Sequence, residues 1–374
     1  MNEESLNLLK ELLEIPSVNG RDDEGCVAEY LAAYFKEHGI KSEVLRIDAT
    51  HANVVAFVEG RDNSRIDIWN GHIDTVPYGD IDQWETDPGK AVEKNGRIYA
   101  RGASDMKSGT AAMVYALTHF SEKPAHSIRF IGTCDEEKNG LGAAEALRTG
   151  LCKDYNFLLI GEPTDMKLGV AHKGCLWLKL TVKGKTGHGA YPEQGINAIH
   201  YLYRLANGII QYVYEFQNTL LGTSTAQIDM IKGGVVPNMT ADRCEAVLDI
   251  RMTPNLTAEM IVAYGKKLLV SLQNEEPLLS ADFEFLNNRR AFEIADHDAD
   301  VNLLRAILKK NGYTGENIGI KFFTDASVIA ATEPDRRVLL FGPGDPAMAH
   351  QPNEYVEIKK YFDAITILKE YLQQ

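Results

Sequence analysis

His72 and Asp74, two residues apart in Asn70-Gly71-His72-Ile73-Asp74-Thr75-Val76-Pro77, are a pair suited to metal chemistry. A neutral imidazole is a first-choice ligand for Zn²⁺, and its second ring nitrogen usually needs a carboxylate or carbonyl to fix the tautomer. The pair follows Arg65 to Trp69, an alternating run that reads as a strand, so both side chains point the same way from a strand mouth. Taken alone they also fit a loop histidine beside a solvated aspartate. Four other stretches carry comparable residues. Asp105, in Gly102-Ala103-Ser104-Asp105-Met106-Lys107-Ser108-Gly109, lies between a strand end and a helix start, as an N-cap or as an aimed ligand. Cys134-Asp135-Glu136-Glu137 follows the apolar run Ile128 to Ile131; three successive acids there either face solvent or need a cation between them. Glu162 follows Phe157 to Ile160, and His350 follows Val338 to Phe341 in a loop where a histidine can also be structural.

Jointly the pattern says more. His72, Asp105, Glu137, Glu162 and His350 each fall just after an expected strand, the edge at which open α/β sheets build their sites. Imidazole and carboxylate donors without thiolate suit Zn²⁺, Co²⁺ or Mn²⁺ rather than Ca²⁺. The set is large enough for two ions with one aspartate between them, and its lack of cysteine favours open catalytic chemistry over a closed structural site.

Positioning those residues requires a particular order of elements. Leucines at positions 6, 9, 12 and 13, then Val27, Tyr30, Leu31, Tyr34 and Phe35, have helical spacing, with Gly39 as a C-terminal cap. Strands are expected at 42–47, 53–58, 65–69, 127–134 and 157–160, with helices at 107–120 and 143–148. That alternation predicts an α/β fold, a mostly parallel mixed sheet covered by helices. Residues 176–286 then read strand, helix, strand, strand, helix, strand, the βαββαβ order of a two-layer sandwich. A helix from 298 to 308, a strand at 338–341 and a helix at 358–372 return to the first pattern. The expected layout is a discontinuous catalytic domain, 1–173 and 288–374, with an inserted lid or dimerisation domain at 174–287.

Composition sets bounds. The chain has 374 residues, 44% of them hydrophobic, and a formal charge of -14, which disfavours nucleic acid and acidic membrane surfaces as partners. No stretch approaches about 18 consecutive apolar residues, so no membrane span is expected. The start, Met1-Asn2-Glu3-Glu4-Ser5, lacks the basic head and apolar run of a signal peptide. Five cysteines without a Cys-x-x-Cys pair fit a reducing cytoplasm. Gly140-Leu141-Gly142 lacks the third glycine of a dinucleotide loop, and Cys134 has no histidine nearby in sequence to activate it as a nucleophile.

The motifs Gly71-His72-Ile73-Asp74-Thr75-Val76-Pro77, Asp105-Met106-Lys107, Asp135-Glu136-Glu137, Gly161-Glu162-Pro163-Thr164 and Ala349-His350-Gln351-Pro352-Asn353-Glu354 occur in order along nearly the whole chain. Together they resemble the acetylornithine deacetylase / succinyl-diaminopimelate desuccinylase family of co-catalytic zinc metallopeptidases. The resemblance implies a zinc-peptidase-like catalytic domain with two divalent ions per subunit, Zn²⁺ first and Co²⁺ or Mn²⁺ as alternatives. Asp105 would bridge the ions, His72 and Glu162 would complete one site, and Glu137 and His350 the other. Asp74 would orient His72, and Glu136 would be the general base. His188, in Thr186-Gly187-His188-Gly189-Ala190-Tyr191-Pro192, matches a histidine donated across a homodimer interface, while Asn238 and Arg251 match positions that hold a substrate carboxylate. Two departures bear on substrate. Ser108 stands where the family often has glycine, which a helix start should tolerate. Thr324-Asp325-Ala326-Ser327 replaces the Thr-Ser-Asp-Gly style loop of desuccinylases, leaning toward the deacetylase branch; Thr324 and Ser327 are candidates to bind an acyl or carboxyl group. The expected activity is hydrolysis of the amide bond of a small N-acylated amino acid. The runner-up is a dipeptidase or carboxypeptidase, whose relatives often carry Asp where Glu162 stands. A metal-binding scaffold without turnover is the reading from another class, and it gives Glu136 no reason to be present.

Overall fold

The computed structural model describes residues 3–330 and 337–374. Its first elements are helices α1 (Glu3–Glu14) and α2 (Gly25–Glu37), then strands β1 (Lys41–Arg46), β2 (Ala52–Val58) and β3 (Asp62–His72). Helix α3 (Lys107–Thr118), strand β4 (His126–Thr133), helix α4 (Leu141–Arg148) and strands β5 (Phe157–Ile160) and β6 (Leu168–His172) follow. Next come β7 (Gly174–Lys183), α5 (Ala198–Tyr214), β8 (Thr225–Gly233), β9 (Arg243–Met252), α6 (Ala258–Glu275) and β10 (Ser280–Arg289). The chain closes with α7 (Ala299–Lys310), the short α8 (Ala326–Ile329), β11 (Val338–Leu340) and α9 (Ile358–Leu372).

These elements form two compact units: Met1–Ala171 with Glu293–Ile320 and Thr324–Gln374, and His172–Phe292 with Lys321–Phe323. In the first, the main sheet runs β1-β2-β4-β3-β5-β11-β6. It is mixed: β4, β3, β5 and β11 are mutually parallel at its centre, while β1, β2 and β6 are antiparallel to their neighbours. The register aligns the carboxyl ends of the four central strands, pairing His72 with Thr133, Asn70 with Ile160, and Ile160 with Leu340. Strands buried on both faces must be apolar throughout, and Phe157-Leu158-Leu159-Ile160 and Val338-Leu339-Leu340 are wholly buried. Helices α1, α3 and α9 pack through Leu9, Leu12, Met113, Leu117, Ile367 and Leu368 into this core.

Two features escape periodicity. A second small sheet, Val92–Lys94 with Arg97–Tyr99 and Tyr355–Glu357, is built of strands too short to show an alternation. Helix α8 is a single turn, also below the length at which helical spacing is readable.

The second unit is a four-stranded antiparallel sheet in the order β8-β9-β7-β10, with α5 and α6 sharing its core. Asn197 caps α5 by accepting from the backbone N–H groups of Ile199 and His200, and Thr257 caps α6 through Met260 N–H. Leu176, Leu178 and Leu180 on β7 and Leu202, Leu205 and Ile209 on α5 fill the space between sheet and helices. All five cysteines of the chain are free. Among the described residues no helix is long and apolar enough to cross a membrane.

Candidate metal centre

The carboxyl ends of the parallel strands converge on one edge, and the loops leaving them carry acids and histidines. β3 ends in His72 itself, β4 delivers Asp135, Glu136 and Glu137, β5 delivers Glu162, and the segment after β11 delivers His350. Asp105 reaches the same place from the segment before α3. That helix start is laid on the sheet by close backbone approach: a Cβ on Gly109 would stand 1.8 Å from the Gly161 carbonyl oxygen. His72 N–H meets Met106 Sδ at 3.3 Å, and Thr110 Oγ1 donates to the His72 carbonyl at 3.1 Å. Ser108, the departure noted in the motif, is buried, and the tight contact falls on the neighbouring glycine.

The two oxygens of Asp105 face different histidines. Oδ1 lies 3.1 Å from His72 Nε2, and Oδ2 lies 3.6 Å from His350 Nε2, which is 2.9 Å from Glu137 Oε2. Candidate donor atoms of His72, Asp105 and Glu162 all lie within 4.8 Å of one another, as do those of Asp105, Glu137 and His350. The two triads share Asp105. Glu162 Oε2 and Glu137 Oε1 are buried and have no hydrogen-bond partner among the described residues. Burial raises the pKa of Glu136, Glu137 and Glu162, and their mutual repulsion and that of Asp105 add to it. For Asp105, burial works the same way but is outweighed by the hydrogen bond from His72, so its pKa is lowered. His350 is raised, first by its hydrogen bond to Glu137. Crowded, buried carboxylates with unpartnered oxygens beside two imidazoles are a donor set that divalent cations fit.

The surrounding loops hold these groups still. His72 turns its Nδ1 to the Asp74 carbonyl at 3.1 Å, while the Asp74 carboxylate stands 3.6 Å away. Asp74 thus meets His72 chiefly through its backbone; its carboxylate accepts instead from Glu136 N–H and Glu137 N–H, each at 3.2 Å, and from Asn19 Nδ2 at 3.1 Å. Those bonds orient the acidic loop. Asn19 also donates to Asp135 at 3.0 Å and to Glu24 at 3.1 Å, linking the loop before α2 to the site. Glu354 accepts from the backbone N–H groups of Ser104 and Asp105 at 2.8 and 2.9 Å and pairs with Arg101 at 2.7 Å, which fixes the turn that aims Asp105. Asp325 accepts from Thr133 and contributes to the raised pKa of Glu136 and Glu162. Asn19, Glu354 and Asp325 were not among the candidates drawn from sequence. Glu354 and Asp325 stand within the motifs around His350 and Thr324, a usable signal; nothing local marks Asn19.

The remaining candidates divide between the units. Thr324 is buried with Oγ1 accepting from Ala326 N–H at 3.2 Å, and Ser327 Oγ is buried without a partner among the described residues. In the second unit His188 and Asn238 are neighbours: Gly189 N–H donates to the Asn238 carbonyl at 2.8 Å, and His188 Nδ1 accepts from Ala190 N–H at 3.1 Å. Arg251, expected to fork onto a substrate carboxylate, spends two donors on Asp249 at 2.7 and 2.9 Å.

An α/β sheet edge carrying two histidine and carboxylate triads that share Asp105 is the kind of donor set found in metal-dependent hydrolases. Residues 68–374 match the model of peptidase family M20/M25/M40, and the chain belongs to that family; it is a hydrolytic enzyme. It is 29% identical to a protein of Staphylococcus aureus named probable succinyl-diaminopimelate desuccinylase, over 98% of this chain and 96% of the relative. It is 26% identical to an acetylornithine deacetylase of Buchnera aphidicola, over 94% and 93% of the two chains. Among solved structures, aminopeptidase PepT of Bacillus cereus superposes with a TM-score of 0.76 at 21% identity, covering 100% of this chain and 98% of that one. The YXEP protein of Bacillus subtilis, described as a dinuclear metal-binding peptidase of the M20 family, superposes at 0.71 with 16% identity, covering 99% and 96%. At those identities the structural likeness speaks to the fold alone.

Proposed function

We propose that this enzyme hydrolyses the amide bond of a small N-acylated amino acid at a centre for two divalent ions, Zn²⁺ foremost. The observation that carries the reading is the sharing of Asp105 between two triads, one oxygen toward His72 and the other toward His350. His72 and Glu162 would hold one ion with Asp105, and Glu137 and His350 the other. Bound there, the ions would supply Lewis-acid polarisation of the scissile carbonyl and acidify the attacking water. Glu136 takes the proton of that attacking water and returns it to the departing amine. Burial first, and then the neighbouring carboxylates, raise its pKa above the ordinary carboxylate value, which makes it a better acid for the departing amine. Asp74 fixes His72 by its carbonyl and the Glu136–Glu137 loop by its carboxylate.

Thr324 and Ser327 are our candidates for the acyl end of the substrate, and the unpartnered Ser327 hydroxyl supports that assignment. His188 as oxyanion donor, and Asn238 and Arg251 as carboxylate contacts, follow from the family resemblance; Arg251 would have to release or share Asp249 to serve. A homodimer formed through the second unit fits Met230, Ile231 and Val235, which are 66%, 57% and 80% exposed. The acyl group is succinyl or acetyl, as the names of the two relatives suggest.

The decisive experiment assays zinc- or cobalt-loaded protein on N-succinyl-diaminopimelate, N-acetylornithine, other N-acetyl amino acids and simple dipeptides. Turnover of an N-acyl amino acid above the dipeptides is expected. Faster turnover of dipeptides would move the enzyme to the peptidase reading, and no turnover with both ions bound would overturn the proposal.

A further inference from the structure

Three helix ends of the first unit meet away from the carboxylate-rich edge. Glu4 stands in the first turn of α1, and His38 and His119 are the residues at which α2 and α3 end. α3 begins just after Asp105 and ends at His119, so a 12-residue helix, about 18 Å long at about 1.5 Å per residue, separates this place from the centre above. Glu4 Oε1 lies 3.1 Å from His119 Nε2 and 3.4 Å from His38 Nε2, and donor atoms of all three fall within 4.8 Å of one another.

The hydrogen bonds behind the rings decide what faces inward. His38 Nδ1 is 2.8 Å from the Tyr34 carbonyl, which can only accept, so that nitrogen carries the proton of the neutral ring. His119 Nδ1 is 2.9 Å from Thr118 Oγ1, which also stands 2.8 Å from the Val114 carbonyl and 3.2 Å from the Tyr115 carbonyl, so the tautomer with its proton on Nδ1 is open to this ring as well. In that tautomer each ring turns an Nε2 lone pair toward the same carboxylate oxygen, the arrangement in which the three atoms can act as ligands. A cation among the three atoms would take the place of a proton shared between Nε2 and Glu4.

The rings are also preset. His119 stacks on Tyr115 with centroids 4.0 Å apart, His38 sits 4.4 Å from the Tyr34 ring, and the two imidazole centroids are 4.7 Å apart. Donors on a tetrahedral zinc with bonds of about 2.0 to 2.1 Å stand about 3.3 Å from one another, close to both measured separations. The carboxyl ends of α2 and α3 add the negative end of two helix dipoles. Beside the cluster a cleft of about 660 Å³ is lined by Glu3, Glu11 and Glu37 as well as Glu4, which raises the local cation concentration. Positive charge is also near: Lys369 Nζ lies 5.6 Å from the Tyr115 ring centroid, and Lys36 stands in the last turn of α2.

We propose that Glu4, His38 and His119 form a separate transition-metal site, suited to Zn²⁺, that pins the amino end of α1 to the carboxyl ends of α2 and α3. It lies outside the catalytic machinery; its three protein donors leave the fourth position of a tetrahedral ion to water, so it is a partly exposed clip between helix ends rather than a closed site. The test uses the untagged full-length chain and its Glu4→Gln and His119→Ala variants, each loaded with Zn²⁺, passed through a desalting column and counted for zinc by mass spectrometry. Each variant is expected to hold one zinc fewer per chain than the wild type, to keep its amidase rate, and to lose part of the zinc-dependent rise in Tm. Because the readout is the difference between proteins, it stands whatever number of ions the catalytic centre holds. Glu4→Gln changes a partly exposed side chain by one atom, so its fold is safeguarded should His119→Ala prove unstable. Equal zinc counts in the wild type and Glu4→Gln, with unchanged Tm responses, would overturn the site.

Discussion

Glu136 and Glu137 are adjacent and chemically alike, yet the structure gives them different partners. Glu137 reaches His350 at 2.9 Å, whereas Glu136 is buried without a histidine contact of that kind among the described residues and has its pKa pushed well up. If Glu136 is the proton carrier, Glu136→Gln should lower kcat by about 10² to 10⁴ while two ions remain bound. Retention of the wild-type kcat with full metal content would remove it from that role. Asp105 tests the sharing of one carboxylate. Asp105→Asn, which replaces one of the two facing oxygens by a donor, should leave at most one tightly held zinc at this centre, read by equilibrium dialysis.

At the scale of elements, the critical contact is the start of α3 against the turn after β5. Gly109→Ala would put a Cβ 1.8 Å from the Gly161 oxygen, so helix or turn must move. We expect a loss of about 1–3 kcal/mol in denaturant unfolding, with weaker metal binding as Asp105 and Glu162 shift. Ser108→Ala is the control. The Ser108 hydroxyl is buried without a partner among the described residues, so its removal should be neutral or slightly stabilising. These two adjacent positions thus differ in a way that their similar size does not suggest.

Two consequences belong to the whole molecule. His172 is fully buried, its Nδ1 donates to the Lys173 carbonyl at 2.9 Å, and its ring meets Phe292 edge-on; burial lowers its pKa from 6.5 to about 4. The unfolded chain therefore binds a proton near pH 6.5 that the folded chain refuses. Stability from this group is complete above pH 6.5 and is lost as pH falls toward 4, about 3.5 kcal/mol at roughly 1.4 kcal/mol per unit. Unfolding free energies of wild type and His172→Gln measured from pH 7.5 to 4.5 should diverge in their slopes, the variant being flatter. Parallel slopes would place the neutral ring in doubt. Removal of metal should act more broadly. Chelation leaves buried like charges facing each other, so Tm should fall and recover on adding Zn²⁺, with a gain of about 2.7 kcal/mol at 100 times the dissociation constant.

Much of this arrangement is legible in the chain before it folds. Short apolar runs at 157–160 and 338–340 read as strands buried on both faces, and acids or histidines placed just beyond such strands share an edge once the strands lie parallel. The alternation of β and α patterns fixes the α/β class for the same reason. What sequence does not contain is the lateral distance between strands remote in number. Register alone sets His72 beside Thr133 and Ile160 beside Leu340, and only then does Asp105 turn one oxygen to each histidine. Contacts made through backbone are equally silent: Asp74 orients His72 by its carbonyl, and Glu354 aims Asp105 by gripping N–H groups that every residue possesses. Local pattern determines which residues arrive at the edge, because periodicity is a property of neighbours along the chain. Tertiary packing decides which atoms face one another, because that depends on strand pairing and helix seating that no single segment encodes.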